Sequence, residues 1–404
     1  MSQKNFPNPV VHQRLENDEV LADPGIVPIA PFEFAGAKVV HAEWQNQGIV
    51  RSRFPMPTID YHNEQLHKFL NKFQAYLDYM KEGKTEWEQI LLIRNWLHRA
   101  VPRSAYDKSI ENLYKRPYPK GESPDPFTML ESAGAGLGWW CPHFSSMLSL
   151  LYNGAGFVSR KLGNVSKYHP KLGTLTHGVT DVFVNDLGKW VQMDAHFDIH
   201  YTKNGIPLSP AELGQEFFEN QGEGVDRIVG LKEEKINKNV LSTLTGCHEA
   251  ERAYWNRYIW GMDSFNASGT WAPEMALQYI QSRHKGEYCY QGQGEDCTIH
   301  VVYKKGIFQY TERKADVYPD VNTSRIEISN SDTGKGSVRV NIGTFTPNLD
   351  AIMVKVDDGI EQPRELSFKW FLHVGENNLR VRTRNKFGRY GKPSTVKVVL
   401  EKLI

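Results

Sequence analysis

Cysteine is scarce in this chain: only Cys141, Cys247, Cys289 and Cys297 occur among 404 residues. So few in so long a chain exclude a disulfide scaffold. An excess of one charge is also missing, since 48 Lys and Arg stand against 47 Asp and Glu, a formal net charge of +1. No field of that size favours nucleic acid or an anionic membrane. No run approaches the ~20 apolar residues of a membrane span. The opening MSQKNFPNPV has no apolar core, so no signal peptide is expected there. A cytoplasmic protein fits that, as does a secreted or periplasmic one whose leader has been removed. No repeat or low-complexity tract stands out. What is present is a globular composition, 40% hydrophobic and 12% aromatic, with length for two or three domains.

The chain is organised around Gly138 to Phe157, GWWCPHFSSMLSLLYNGAGF. Gly134, Gly136 and Gly138 lead in, and Trp139, Trp140 and Cys141 follow. From Phe144 the apolar residues Phe144, Met147, Leu148 and Leu151 recur at helical steps. Asn153-Gly154 supplies a stop. Cys141 therefore stands where a Gly-rich loop becomes a buried helix. The free N–H groups and dipole of a helix start favour negative charge. A packed core thiol is the plain alternative, because free Cys is among the most buried residue types.

Further on runs HGVTDVFVNDLGKWVQMDAHFDIHY, from His177 to Tyr201. Val179, Val182, Phe183 and Val184 read as a strand, Asn185 to Gly188 as a turn, and Trp190, Val191 and Met193 as a second strand reaching Asp194. Such a hairpin sets His177 and Asp194 side by side. A nucleophile at a helix start, a base and an orienting carboxylate form a Cys-His-Asp triad.

The stretch from about Trp87 to Tyr201 resembles the core of the transglutaminase-like superfamily. The resemblance is carried by Cys141, Phe144, Leu148, Leu151, Gly156, Arg160, His177, Phe183, Trp190 and Asp194 in that order. WEQILLIRNWLHRAV, Trp87 to Val101, matches the helix that precedes the Cys. Pro142 departs from the pattern, which often has Gly or a polar residue there, but Pro in the first helical turn forfeits no hydrogen bond. No Gln lies close before Cys141, so the second oxyanion donor stays unassigned. The resemblance implies a papain-like α+β fold, no cofactor, and thiol-based acyl chemistry on an amide of a peptide or protein. Cys141 is then the nucleophile, His177 the base and Asp194 the orienting carboxylate. Water as second substrate gives a protease or amidase; an amine gives a transglutaminase. Trp139, Trp140, His143 and His196 are candidate substrate contacts.

Asp194, His196, Asp198 and His200 alternate, so a strand would point all four to one face. Four such positions spread over ~20 Å, too far for one ion, and no metal site is expected. The alternation reads as a strand along a solvent-filled cleft.

Elsewhere the expected organisation is an N-terminal arm with strands over 1–60, a catalytic domain with a helical and aromatic extension over 61–317, and a β-sandwich over 318–404. Ala37 to Met56 suggests a hairpin around Asn46-Gln47-Gly48. Tyr61 to Tyr79 is amphipathic through Leu66, Phe69, Leu70, Phe73 and Leu77. Thr85 with Glu88 makes a capping box. Arg103 to Pro126 reads as a loop. Ser209-Pro210 starts a helix, and 211–260 looks mainly helical. Aromatics crowd Tyr254 to Tyr290, where they either pack on the core or grip a sugar or peptide. Cys289 and Cys297 flank YQGQGED, which a disulfide could close; free thiols are the other reading. From Ser324 about six or seven short strands alternate with turns, and the last resemble fibronectin type III or immunoglobulin-like modules. Two other function classes stay open. One is a polysaccharide lyase acting on a uronic-acid glycan through His143, His177, His196 or a Tyr. The other is a non-catalytic binding protein.

Overall fold

The computed structural model describes residues 32–34, 36–47, 50, 59–101, 126–133, 138–165, 176–210, 212–213, 216, 223–231, 270–274, 286–291, 298–303, 307–311, 318–330 and 336–403. Helices mix with antiparallel sheets. First come β1 (Phe32–Phe34) and β2 (Ala37–Gln45), then α1 (Glu64–Lys72), α2 (Gln74–Met80), α3 (Glu86–Ala100), α4 (Pro126–Ala133) and α5 (Cys141–Gly154). Next are β3 (Ser159–Val165), β4 (Thr176–Val184), β5 (Lys189–Met193), β6 (Ile199–Lys203), β7 (Ile206–Pro207) and β8 (Val225–Val229). Strands β9 (Thr270–Glu274), β10 (Gly286–Gln291), β11 (Thr298–Tyr303) and β12 (Ile307–Thr311) follow. The chain ends with β13 (Ser324–Asn330), β14 (Ser337–Thr344), β15 (Leu349–Val356), β16 (Gln362–Arg364), β17 (Ser367–Phe371), β18 (Gly375–Asn385) and β19 (Ser394–Leu403).

One compact unit holds the helices and β3–β12. Its main sheet has the order β12-β11-β10-β9-β3-β4-β5, and β3 is antiparallel to both β4 and β9. A smaller sheet has the order β7-β6-β8. Helix α5 lies in the core. Phe144, Met147, Leu148, Leu150 and Leu151 are wholly buried, each contributing about 1.5–3 kcal/mol. Helix α3 begins as its sequence dictates. Thr85 Oγ1 accepts from Glu88 N, and Glu88 Oε2 accepts from Thr85 N. The amphipathic stretch before it is two helices, because Phe73 leaves the helical conformation. That break rotates the buried face from Leu66 and Phe69 to Tyr76 and Met80.

Two expectations change here. Ser209 caps a turn reciprocally with Glu212, but Val225–Val229, expected to be helical, is a strand paired antiparallel to β6. Ile228 is buried on it. β9–β12 likewise make the described part of the extension a sheet. Residues 103–125, Gly134, Gly136, Cys247 and the expected Cys289–Cys297 pairing lie outside the described residues. So do Tyr254, Trp255, Tyr258, Trp260 and Tyr279.

The other unit pairs a six-stranded sheet, β1-β2-β19-β18-β15-β16, with a three-stranded sheet, β13-β14-β17. The two share one core. Trp370, Val338, Val340 and Ile326 come from the small sheet; Val354, Val381, Val396 and Val398 come from the large one. β2 pairs along its length with β19, and Ala37, Val39 and Ala42 belong to the same core. A segment read with the N-terminal arm therefore completes this sheet. Residues 48, 49 and 51–56 of the expected hairpin lie outside the described residues. Among the described residues no helix is long and apolar enough to cross a membrane.

Candidate active site

Cys141 is the first residue of α5, with Trp140 as the N-cap and Pro142 in the first turn. Its thiol is free and half-buried. The helix is fastened to β4 from inside. Ser145 Oγ donates to the Val179 carbonyl, and Thr180 Oγ1 donates to the Ser145 carbonyl. The close approach continues up to the cysteine. A Cβ on Gly178 would stand 2.5 Å from Pro142 Cα and 3.2 Å from the Cys141 carbonyl carbon. Only a residue without Cβ lets the strand pass that near the helix start. His177 precedes this glycine on β4, opposite Asn164 of β3.

β5 is the neighbour of β4 in the sheet, and Asp194 follows its last residue. Asp194 exchanges backbone hydrogen bonds with Ile199, 3.0 and 2.9 Å. One oxygen of its buried carboxylate accepts from His196 N at 2.9 Å and Phe197 N at 3.3 Å. Asp194 thus opens a tight turn over Ala195–Asp198, and the strand expected through Asp194, His196, Asp198 and His200 is corrected to a strand, a turn and β6. The turn is possible because Asp198 takes a left-handed φ of 56°, which Asp tolerates better than most residues. The four side chains therefore share no strand face. Among the described residues no three His, Cys, Asp or Glu side chains group as a metal site.

The candidate substrate contacts divide. Trp139 and His196 are buried, and the His196 ring packs edge-on to Phe144 and Phe197. Trp140 and His143 keep part of their surface. His143 lies 4.9 Å from the Trp139 ring. Burial, reinforced by the Lys161 charge, lowers its pKa to about 4, so it is neutral at physiological pH.

Two buried ion pairs brace the strands. Arg160 binds Asp181 with two 3.0 Å hydrogen bonds and stacks 4.3 Å from the Trp190 ring centre. That locks β3, β4 and β5 together. Arg94 of α3, with no exposed surface, donates to Asp198 Oδ1, to His200 Nδ1 and to the Gly230 carbonyl, each at 2.7 Å. Sequence reading missed Arg94, Asn95 and His98. Their signal is three polar residues on a helix otherwise rich in Ile and Leu.

No family model matches this chain, and no curated protein does. Among solved structures it is similar to a candidate cysteine protease from Cytophaga hutchinsonii, with a TM-score of 0.23 and 13% identity over 39% of this chain. The matched part spans half of that protein's length, 50%. It is also similar to red sea bream transglutaminase, with a TM-score of 0.24 and 10% identity over 84% of this chain and 73% of that one. Likeness at such scores carries no argument, so the chemistry rests on this chain's own residues.

Proposed function

We propose that this protein is a thiol-dependent acyl-transfer enzyme acting on amide bonds, with Cys141 as nucleophile, His177 as base and Asp194 as orienting carboxylate. One observation carries the reading: the backbone of Gly178, next to His177, lies against the backbone of Cys141 and Pro142 at the start of a buried helix. The position of Asp194 at the end of the adjacent strand supports it, as does the sequence resemblance to the transglutaminase-like core.

The Cys141 sulfur attacks the amide carbonyl while His177 takes the thiol proton. The Cys141 N–H, at the open end of α5, donates to the oxyanion. The C–N bond breaks, the amine leaves with the proton from His177, and a thioester remains. Water or a second amine then attacks the thioester, with His177 again as base, and the thiol is restored. Asp194 holds the imidazole tautomer that both halves need.

The test is turnover on a casein-plus-primary-amine panel run beside an acidic-polysaccharide panel, for the native protein and Cys141→Ala. Amide turnover or amine incorporation lost in Cys141→Ala is the expected result. Polysaccharide cleavage that survives Cys141→Ala would replace the thiol mechanism with elimination chemistry.

A further inference from the structure

Helix α3 is more than a packing element for α5. Its buried residues include Ile90, Ile93 and Leu97, as an amphipathic helix requires, but also Arg94, Asn95 and His98. Each of these three reaches the turn that follows Asp194. His98 Nδ1 donates to the Ala195 carbonyl at 3.0 Å. Asn95 Nδ2 donates to Asp198 Oδ2, and Arg94 Nε donates to Asp198 Oδ1, both at 2.7 Å. Arg94 also holds His200 Nδ1 just past the turn. The Asp198 carbonyl accepts from Gly230 N at 2.9 Å. Both ends of a four-residue turn are thus anchored to one rigid helix.

That arrangement is costly unless it does something. Burying an arginine and a carboxylate rarely adds net stability over apolar packing, and Asp198 takes a left-handed conformation besides. What the turn fixes is Asp194, whose carboxylate oxygen is aimed by the N–H groups of His196 and Phe197 within it. We infer that Arg94 is a positioning residue for the Asp194 carboxylate, acting through Asp198 and the Ala195–Asp198 turn. This rests on the reading of Asp194 as the partner of His177. Arg94 touches none of the reacting groups. Lysine cannot replace it, because a single ammonium lacks the fork that binds Asp198, His200 and Gly230 at once.

The experiment is a double-mutant cycle read by the rate at which iodoacetamide alkylates Cys141 at pH 6, followed by peptide mass spectrometry. The full-length chain is used. Asp194→Asn is expected to slow alkylation about 10²-fold and Arg94→Lys about tenfold. In an Asp194→Asn background, Arg94→Lys should then have no further effect, which a general structural loss would not produce. An Arg94→Lys rate equal to that of the native protein, or an undiminished effect in the Asp194→Asn background, overturns the inference and leaves the triad standing. An Asp194→Asn rate equal to the native one sinks the triad itself. If Arg94→Lys does not fold, the same cycle run with Asn95→Ala and with His98→Asn, each freeing one anchor, decides the matter by the same criteria.

Discussion

Gly178 and Pro142 meet backbone to backbone: a Cβ on the glycine would lie 2.5 Å from Pro142 Cα and 2.9 Å from its nitrogen. No flexible side chain is there to yield, so β4 or the start of α5 must move. Gly178→Ala should cost about 1–3 kcal/mol, as overpacking does, and should abolish amide turnover. Gly205→Ala is the comparison for strain without a clash: a Cβ there meets nothing within 4 Å, but the left-handed φ of 77° resists it, so it should cost about 1–2 kcal/mol and keep amide turnover. Thermal melts of both variants with activity measured in parallel check this, and a fully active Gly178→Ala would show that the approach is not needed.

Cys141→Ala should fold normally and lose all amide turnover. The thiol is half-buried, so its removal leaves little cavity. His177→Ala should match it in activity. Circular dichroism and turnover assays on both decide, and residual activity in Cys141→Ala would remove it as nucleophile.

The Arg160–Asp181 pair is buried and doubly hydrogen-bonded. Asp181→Ala removes the buried carboxylate that takes both hydrogen bonds from Arg160 and should cost about 3–5 kcal/mol. Arg160→Met combined with Asp181→Leu should recover most of that loss. Urea unfolding of both variants measures it; an Asp181→Ala variant as stable as the native chain would contradict the pairing.

Stability should fall as pH drops below ~6.5, the ordinary pKa of histidine in an unfolded chain. Burial keeps the folded-state pKa of His143 down at about 4, with the Lys161 charge adding to it. Burial and the Arg94 charge keep that of His200 well below its ordinary value. In this window the unfolded chain binds protons that the folded chain refuses. Each group therefore removes up to ~1.4 kcal/mol per pH unit. For His143 the loss runs from ~6.5 down to about 4. Denaturant unfolding between pH 7 and 4 should show a shallower fall for His143→Gln, and an unchanged slope would mean that His143 is not held neutral.

The β-sandwich should need β2. Ala37, Val39 and Ala42 are buried in its core, and β19 has β2 as a neighbour. A fragment of residues 318–404 should be markedly less stable than one joined to residues 32–47. Equal melting temperatures would show that β2 is dispensable.

Much of this was written locally in the sequence. Thr85 with Glu88, the 3.6-residue run after Phe144, and the alternating strands from Ser324 are short-range patterns, and each formed as its period requires. The helix that starts at Cys141, the strand that carries His177 and the strand that ends just before Asp194 were legible for the same reason: their neighbours dictate the element type. What the sequence could not decide was the path after Asp194. Alternation of Asp and His from 194 to 200 has a strand's period, yet the chain turns there. The carboxylate that stabilises the turn is gripped by Arg94, 104 residues earlier. Val225–Val229, expected to be helical, is a strand because β6 offers it an edge. Long-range partners decided both, since a local pattern fixes which face a side chain takes but not what waits on the other side.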